Sequence, residues 1–527
     1  MRFLRRSTWA WVFGLVLCFS ACGDSSSDLD PATATMNSSM SSATREVLPP
    51  NAPPSSAAGS GGTAPTAITP AQPPGTSSSI GPSMAPQAGP SPPAGAPTPN
   101  QPPENLGDDT RSSTAEVTYH KQIRGLLETN CLSCHVNGGI GPFALDDWGT
   151  VKQVASTVVA AVKSRIMPPW PADTSCHSIR DSRALTDEQL ELFAKWQAEN
   201  FPEGDPKDYV PPPTAAAELD IGPATRELDA GMKYTPPNNA DDYRCFLTDH
   251  VFETDTYLKA VDIVPDQRAE VHHVQVHRLT AAQRAQLQAT DAASPGSGYP
   301  CNSGLVLSQN MFSWRPGGTR VTFDPGDAAY IEAGSSIMLQ VHYNTQFLPA
   351  GQSPTPDQTK VLFWTLAAGE LPDRVIYRTG VTAGVTVLPG EQHSVSEANV
   401  SMLQLASVGP TRGFVPGEII GMTPHAHQIA SEMTSGITKG GAEQCLIDVP
   451  KWDFNWQLDY LFSEGVPYSA TDTIRATCVY DNSAGHQPLV DGVQQQPRLV
   501  TFGEGSLDEM CLHYVWLRMD RKAFLGR

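Results

Sequence analysis

Residues 23 to about 113 form a low-complexity segment that limits how much of this chain can fold. Proline, serine, alanine, glycine and threonine dominate the segment, which contains no aromatic residue. Such a composition cannot bury enough apolar surface to form a core, and its prolines keep the backbone extended. We therefore predict a linker over residues 23–114. The remainder, from residue 115 to residue 527, is long enough for three domains of ordinary size.

The residues before this segment have the pattern of an export signal. Three of the first six residues are arginines, and an apolar run follows from residue 9 to residue 19. The run is too short to span a membrane, so we predict a signal peptide over residues 1–22. Its end is similar to a bacterial lipobox with Cys22 as the lipidated residue, although Phe19 stands where leucine is usual. We expect an exported protein of the cell envelope, periplasmic or anchored in the outer membrane, that touches the membrane only through Cys22.

A C-x-x-C-H motif, formed by Cys131, Cys134 and His135, opens the folded part. This spacing is typical of covalent haem c attachment, with two thioether bonds to the porphyrin and an imidazole on the iron. A zinc site would need two further ligands at suitable spacing, and Cys176-His177 is the one candidate pair. The motif therefore favours one covalent haem c.

The second axial ligand of that haem has three candidates. Met167 lies in a methionine-proline segment similar to the one that supplies the distal ligand in many c-type cytochromes, and it is favoured over His177 and His120. A helix should follow from a capping box of Thr186 and Gln189. We predict a small all-α, cytochrome c-like domain over residues 115–209.

Five histidines and one methionine in the rest of the chain form two candidate metal sites. The residues are His272, His273, His342, His425, His427 and Met510. They divide into three imidazoles and a set of two imidazoles completed by a thioether. Imidazole suits copper in both oxidation states and thioether favours Cu(I), whereas zinc rarely binds methionine and di-iron sites need carboxylates. The grouping favours two mononuclear copper sites. The other histidines, His277 and His513 among them, are predicted to be ordinary surface or core residues.

The motifs VHHVQVHR, LQVHYN, PHAH and DEMC resemble those of the copper type II monooxygenases, namely peptidylglycine α-hydroxylating monooxygenase and dopamine β-monooxygenase. The resemblance covers residues 225 to 520, with the motifs in the family's order. It implies that His272, His273 and His342 hold the electron-transfer copper. It also implies that His425, His427 and Met510 hold the copper that binds O2, with Tyr514 matching a family tyrosine. The implied fold is a pair of all-β, jelly-roll-type sandwiches.

We expect the two sandwiches to cover residues 222–372 and 373–527, with a proline-rich linker near residues 210–214 before them. Alternating apolar and polar runs with turn residues between them favour strands, and no long amphipathic helix is predicted after residue 209. His272 and His273 are adjacent, so on a regular strand their side chains would point to opposite faces. Both can bind one metal only where the strand bulges or ends.

The cysteines are typical of an oxidising compartment. The resemblance implies disulfides between Cys478 and Cys511 and between Cys245 and Cys301. Cys176 and Cys445 remain, either free or paired across domains.

The net charge limits the expected partners, and two departures from the family's motifs limit the expected substrate. A net charge of −20 disfavours nucleic acid and anionic lipid surfaces as partners. In peptidylglycine α-hydroxylating monooxygenase, an arginine binds the carboxylate of the peptide substrate. Thr423 stands at the position that matches this arginine, and Leu512 stands where that enzyme has an asparagine. A neutral or amphiphilic small organic substrate is therefore expected rather than a glycine-extended peptide.

The predicted function is hydroxylation of a C–H bond by O2, with electrons relayed from haem c through the three-His copper to the His-His-Met copper. The electrons would come from ascorbate, as in the family, or from a cytochrome-type donor outside the cytoplasm. Two alternatives remain: a copper-handling or electron-transfer lipoprotein without oxygenase activity, and another redox enzyme such as a nitrite or peroxide reductase. A copper nitrite reductase would need a cysteine in its ligand cluster, and none stands there.

Overall fold

Capping side chains and apolar stripes determine the helices of the first folded segment. The computed structural model describes residues 115–526 apart from 213–220, 239–241, 302–307, 346–347, 349–350 and 491. The predicted signal peptide, lipobox and linker lie outside these residues, and all described residues belong to one compact unit, Pro102–Arg527. A π-helical turn (Tyr119–Ile123) leads into α1 (Arg124–Asn130), α2 (Trp148–Lys163), α3 (Asp187–Ala198) and a 3₁₀ turn (Pro206–Asp208).

Helix α3 begins where its sequence predicts. Thr186 and Gln189 form both hydrogen bonds of the capping box, which confirms the predicted start. Phe193 and Trp196 are 1% and 0% exposed and pack against apolar residues of α1 and α2. The three helices therefore share one small core.

Twenty-two strands follow among the described residues. The first ten are β1 (Arg226–Asp229), β2 (Asp242–Val251), β3 (Thr256–Val264), β4 (Val271–Leu279), β5 (Tyr299–Pro300), β6 (Gln309–Trp314), β7 (Val321–Thr322), β8 (Asp327–Ile331), β9 (Ser336–Tyr343) and β10 (Lys360–Thr365). The others are β11 (Arg374–Ala383), β12 (Thr386–Val387), β13 (Ser394–Ser401), β14 (Gly417–His425), β15 (Ala430–Lys439), β16 (Ala442–Val449), β17 (Tyr460–Tyr468), β18 (Thr473–Tyr480), β19 (Leu489–Val490), β20 (Val493–Gln494), β21 (Val500–Thr501) and β22 (Cys511–Asp520). This part of the chain is mostly β-sheet.

The strands form three main sheets around two cores. A nine-stranded sheet runs β1-β10-β3-β8-β11-β22-β14-β17, with β7 beside β3. Its first part packs on the five-stranded sheet β5-β2-β9-β4-β6, and its last part on the four-stranded sheet β13-β18-β15-β16. This arrangement is compatible with two β-sandwiches, as predicted. The large sheet continues across residue 373, because β8 pairs in parallel with β11.

Three short helices accompany the strands: α4 (Ala281–Ala293), α5 (Met402–Leu405) and α6 (Arg521–Leu525). Helix α4 was not among the elements that the sequence predicted. It begins at a capping box of Thr280 and Gln283 and buries none of its residues. Its alanine-rich sequence favours a helix by intrinsic propensity, without the apolar stripe on which the prediction relied. No described helix has the length and apolar character needed to cross a membrane.

Three disulfides cross-link the described residues. Cys245–Cys301 and Cys478–Cys511 are confirmed, and Cys176 pairs with Cys445, 269 residues away in sequence. The last bond resolves the pairing that the sequence left open. It links the loop before α3 to strand β16.

Candidate metal centres and the cavity between them

The first candidate metal centre lies in the middle of the five-stranded sheet. Strand β4 pairs with β9 so that His273 faces His342, and the register shifts between Val271 and His273. This irregularity is the bulge that the adjacent histidines require. The Nδ1 atom of His272 lies 3.2 Å from that of His342 and 3.4 Å from that of His273, and the third pair is 3.3 Å apart. Three ring nitrogens therefore converge on one point.

This geometry fits a bound metal ion. Imidazole nitrogens that bind one ion at about 2.0 Å in tetrahedral geometry lie roughly 3.3 Å from one another. All three rings are buried, at 4%, 5% and 0% exposure for His272, His273 and His342. Burial, with the neighbouring imidazoles, holds the pKa of His273 well below its usual range, so this ring stays neutral and keeps its lone pair for a metal. Tyr243 stacks on His342 with ring centroids 4.0 Å apart and orients it.

The second candidate centre lies where strand β14 ends. His425 is its last residue, and the rings of His425 and His427 lie 5.3 Å apart. The Nδ1 of His425 is hydrogen-bonded to the side-chain oxygen of Gln457, and the Nδ1 of His427 lies 3.1 Å from the backbone oxygen of Asp508. With Nδ1 donating in both rings, each Nε2 is left to bind a metal. Burial lowers the pKa of His425 to about 3, which keeps that ring neutral.

Met510 immediately precedes β22 and lines the same cavity as His425 and His427. Its neighbour Glu509 fixes this arrangement. The fully buried carboxyl group of Glu509, whose pKa burial raises to about 8, accepts hydrogen bonds from the backbone N–H groups of His427 and Ile429, each at 2.8 Å, and of Met510 at 3.1 Å. Glu509 therefore ties the loop of His427 to the chain that carries Met510. This role of Glu509 could not be predicted from the sequence, because the contact joins residues 82 apart.

A cavity of about 500 Å³ lies between the two centres. His273 borders it on one side, and His425, His427 and Met510 border it on the other. Tyr514 also lines the cavity, and its hydroxyl is close to Asn310. One cavity thus receives both candidate metal centres and has room for a small organic molecule.

Thr423 does not face this cavity. It is fully buried, donates a hydrogen bond to Asp459 at 2.6 Å and accepts one from Trp516 at 3.1 Å. Arg378 on strand β11 lines the cavity instead, with its guanidinium 4.1 Å from the centroid of the Tyr514 ring. Its charge is compensated, since Asp459 lies 3.4 Å away.

His277 lines the cavity too, although it was predicted to be an ordinary surface or core histidine. It is 3% exposed, lies within 2.9 Å of the Ser308 hydroxyl, and has a pKa lowered to about 3 by burial and by the positive charge of Arg378. His273, Gln275 and His277 alternate along β4 and all line the cavity. This period of two was the signal that could have found it.

A second cavity, of about 290 Å³, lies in the helical segment. Cys131, Cys134, His135 and Met167 all line it. The two cysteines form no disulfide. The Nδ1 of His135 lies 3.0 Å from the backbone oxygen of Phe143, which leaves Nε2 for a metal. The residues fit a covalently attached haem, because two thiols, one oriented imidazole and a thioether surround one apolar space.

The two other candidate axial ligands do not line this cavity. His177 lies against Phe462 of strand β17, with ring centroids 4.1 Å apart. His120 is buried near Glu203, 3.5 Å from its carboxylate. Met167 is the one of the three that shares the cavity of His135.

Cys478, Cys511 and His513 form a further cluster, with ligand atoms within 4.8 Å of one another. The two sulfur atoms are bonded to each other, so they are not available as thiolate ligands. His513 is fully buried and lies 2.8 Å from the hydroxyl of Ser435. It is a core histidine, as predicted.

Comparison with known proteins gives little overall similarity. No curated protein matches the chain. A xanthan lyase of Paenibacillus matches with 12% identity over 56% of this chain and 27% of that chain, with a TM-score of 0.15. The naturally occurring empty particle of cowpea mosaic virus matches with 11% identity over 59% of this chain and 95% of that chain, with a TM-score of 0.19. Likenesses this weak carry no argument about fold or function.

One family model matches the part of the chain that holds the second metal centre. It describes the C-terminal domain of the copper type II ascorbate-dependent monooxygenases and covers residues 374–521. His425, His427 and Met510 all lie within that range. The region that carries these three residues is therefore similar to the C-terminal domain of a copper type II ascorbate-dependent monooxygenase.

Proposed function

We propose that this protein is a copper-dependent monooxygenase that hydroxylates a C–H bond of an organic substrate with O2. The observation that carries the proposal is the shared cavity. His273, one of three convergent imidazoles, borders it on one side, and the His-His-Met set within the family match borders it on the other. Copper bound at these residues would supply one-electron transfer and activation of O2.

His272, His273 and His342 would hold the copper that passes electrons. Their Nδ1 atoms converge within a buried pocket, and the sheet positions two of the rings directly opposite each other. His425, His427 and Met510 would hold the copper that meets O2, where the thioether favours the reduced ion. Tyr514, which supports Arg378 through its ring, would position the substrate in the cavity.

A neutral or amphiphilic small molecule suits this cavity. Arg378 donates hydrogen bonds to Asn310 and Ser313, both at 2.8 Å, in addition to its contact with Asp459. The cavity's other polar groups include the neutral Gln275, Gln340 and His277. A substrate carboxylate would have to replace the partners that Arg378 already has, which costs free energy.

A haem c attached to Cys131 and Cys134, with His135 and Met167 as axial ligands, would deliver the electrons. Support comes from the cavity these four residues share and from the hydrogen bond that orients His135. Reductants would be ascorbate or a cytochrome-type donor. A His135→Ala variant should turn over with ascorbate but not with the cytochrome-type donor.

We further propose three domains, at residues 115–209, 222–372 and 373–527, and a location in the cell envelope with a lipid anchor at Cys22. The three disulfides among the described residues support export to an oxidising compartment.

The decisive experiment is stopped-flow oxidation of the dithionite-reduced protein by O2. The haem absorbance is followed with and without two equivalents of copper, in the wild type and in Met510→Ala. We expect rapid oxidation that requires copper and is lost in Met510→Ala. Met232→Ala, a change at an exposed methionine, is the control and should behave like the wild type.

Oxidation that is indifferent to copper and to Met510 would contradict the coupled function. The protein would then be a haem lipoprotein joined to a separate copper module. Copper-dependent oxidation without hydroxylation of any compound in a substrate screen would favour the copper-handling or electron-transfer alternative.

A further inference from the structure

Residues 452–457, between strands β16 and β17, contact both candidate copper centres. The indole N–H of Trp452 donates a hydrogen bond to the backbone oxygen of His427 at 3.1 Å, and the side chain of Gln457 holds His425. Between these two residues, the ring of Phe454 lines the central cavity. This segment, the connector, therefore contacts the second candidate copper centre twice: at the backbone of His427 and at the side chain of His425.

The ring of Phe454 also contacts the first centre. Its centroid lies 5.5 Å from that of His272, with the two planes 25° apart, and 6.5 Å from that of His342. On the other side its centroid lies 6.1 Å from that of His427, with the planes 89° apart. One half-buried ring thus lies between imidazoles of both centres.

The same connector reaches the haem cavity. Asn455 and Trp456 line that cavity, and His272 lines it as well. His272 is therefore a member of the three-His set, a wall of the haem cavity and the stacking partner of Phe454.

Hydrogen bonds within the connector fix its shape. The side-chain amide of Gln457 donates to the backbone oxygen of Phe454 at 2.9 Å, and the N–H of Trp456 donates to the backbone oxygen of Asp453 at 2.9 Å. The N–H of Trp452 binds the backbone oxygen of Ser431 at 2.7 Å. Phe454 is therefore held in place by backbone contacts on both sides of it.

We propose that the connector is the electron-transfer bridge between the redox centres, with His272 as the entry from the haem cavity and Phe454 as the link between the copper centres. This rests on the proposed function. With copper bound, one electron would pass from Cu(I) held by His272, His273 and His342, leaving Cu(II) there, to Cu(II) at the other centre, which would become Cu(I). The Phe454 ring would be neither oxidised nor reduced. A haem held in its cavity would replace the electron and would be reduced again by ascorbate or a cytochrome-type donor.

The physical reason is electronic coupling. Tunnelling falls off more slowly through packed atoms than across a gap filled by solvent. The ring of Phe454 lies between His272 and His427, so removing it would leave a gap in the packed path that joins these two imidazoles.

The test is a change from Phe454 to alanine in the full-length protein loaded with haem and copper. The fully reduced protein is mixed with O2 without substrate. Absorbance follows the haem, and rapid freeze-quench EPR follows the two Cu(II) signals, which are identified from His273→Ala and Met510→Ala. We expect the oxidation of the three-His copper and of the haem to slow by about tenfold relative to the other copper, equivalent to about 1.4 kcal/mol of activation free energy.

Phe454→Tyr keeps the ring and should restore the wild-type rates. Phe414→Ala, a half-buried phenylalanine that packs on Tyr468 far from the centres, controls for loss of an aromatic side chain. Copper content is measured in each variant, and Phe454→Val replaces Phe454→Ala if the latter binds less copper.

Two outcomes overturn the proposal, and they differ. Equal rates in Phe454→Ala and the wild type, with both coppers bound, overturn the bridge and leave the monooxygenase function standing. Failure of the wild type to bind copper, or to react with O2 when reduced, overturns the function and the bridge together.

Discussion

At the scale of single residues, three Nδ1 atoms 3.2–3.4 Å apart bring three lone pairs to one point. A ring that carries its proton on Nδ1 can donate to one neighbouring ring, but one proton cannot serve three nitrogens that face one point. A bound cation accepts the lone pairs of all three. The spacing therefore suits three ligands of one metal ion.

We expect His273→Ala to reduce the copper content from two ions to one per chain. The triad loses a ligand, and two imidazoles alone bind copper more weakly. His277→Ala is the matched control, because His277 lies on the same strand and the same cavity but outside the triad. Metal analysis after dialysis measures the result, and two ions retained in His273→Ala would contradict the assignment.

His513 should make the fold sensitive to acid. Burial lowers its pKa to about 3, whereas the unfolded chain has a histidine pKa near 6.5. Its stabilising contribution is therefore fully present above pH 6.5 and is lost as the pH falls towards 3. From pH 7.5 to pH 5, we expect this group to remove about 2 kcal/mol from the free energy of unfolding.

Urea unfolding of the metal-free protein at the two pH values measures this loss. His513→Gln lacks the titrating ring and should show a smaller difference between the two pH values. An unchanged difference would mean that other groups cause the acid sensitivity.

Single residues differ in how well the sequence predicts them. The order of His272, His273, His342, His425 and His427 predicts the two sets, and adjacency of the first two predicts the bulge that β4 contains. Arg378 and Phe454 could not be found in this way. Their roles depend on contacts between segments far apart in the chain, which no local periodicity encodes.

At the scale of elements, the loop of His427 and the start of β22 are held together by one carboxyl group. Glu509→Ala leaves at least two buried N–H groups, those of His427 and Ile429, without their acceptor. Each such loss costs about 1–3 kcal/mol, so we expect a fall of about 3 kcal/mol in the free energy of unfolding. Copper at the His-His-Met centre should be lost with it.

Asp508→Ala is the control for this change. It removes the neighbouring, more exposed carboxylate but keeps the backbone oxygen that binds His427. Denaturant unfolding and copper analysis of both variants make the comparison. Full copper content in Glu509→Ala would show that Met510 and His427 keep their positions without the clamp.

Helices were predictable where a capping motif preceded apolar residues at helical spacing. The capping box of α3 gave its start, whereas α4 was missed because it is an exposed, alanine-rich helix that packs no apolar face. The parallel pairing of β8 with β11 was also missed, since the boundary near residue 372 was placed between His342 and the strands that lead to His425, and no local pattern shows which distant strands pair.

At the scale of the whole molecule, the helical segment is fastened to the β-sheets. Ile179 forms a bridge with Phe462, and the backbone N–H of Arg180 donates to the backbone oxygen of Leu461 at 2.7 Å. These contacts cover part of the outer edge of β17, the last strand of the nine-stranded sheet. The guanidinium of Arg180 binds Asp324 at 2.8 and 3.1 Å. A covered edge cannot pair with another chain.

We expect the double change Cys176→Ser and Cys445→Ser to lower the free energy of unfolding by about 2–4 kcal/mol. This disulfide closes a loop over a sequence separation of 269, against 56 for Cys245–Cys301. The chain-entropy model predicts a loss larger by about 1.4 kcal/mol than for Cys245→Ser with Cys301→Ser. Denaturant unfolding of both double variants tests the order, and a larger loss for the shorter loop would contradict it.

The bond between Cys176 and Cys445 also sets an order for maturation. Until residue 445 has been synthesised and exported, Cys176 lacks its native partner, while Cys131 and Cys134 are nearby thiols on the same segment. Oxidation at that moment would favour the wrong pair. Attachment of haem would consume both competing thiols first, so we expect cells that cannot attach haem c to accumulate mispaired forms of this protein, separable by non-reducing electrophoresis.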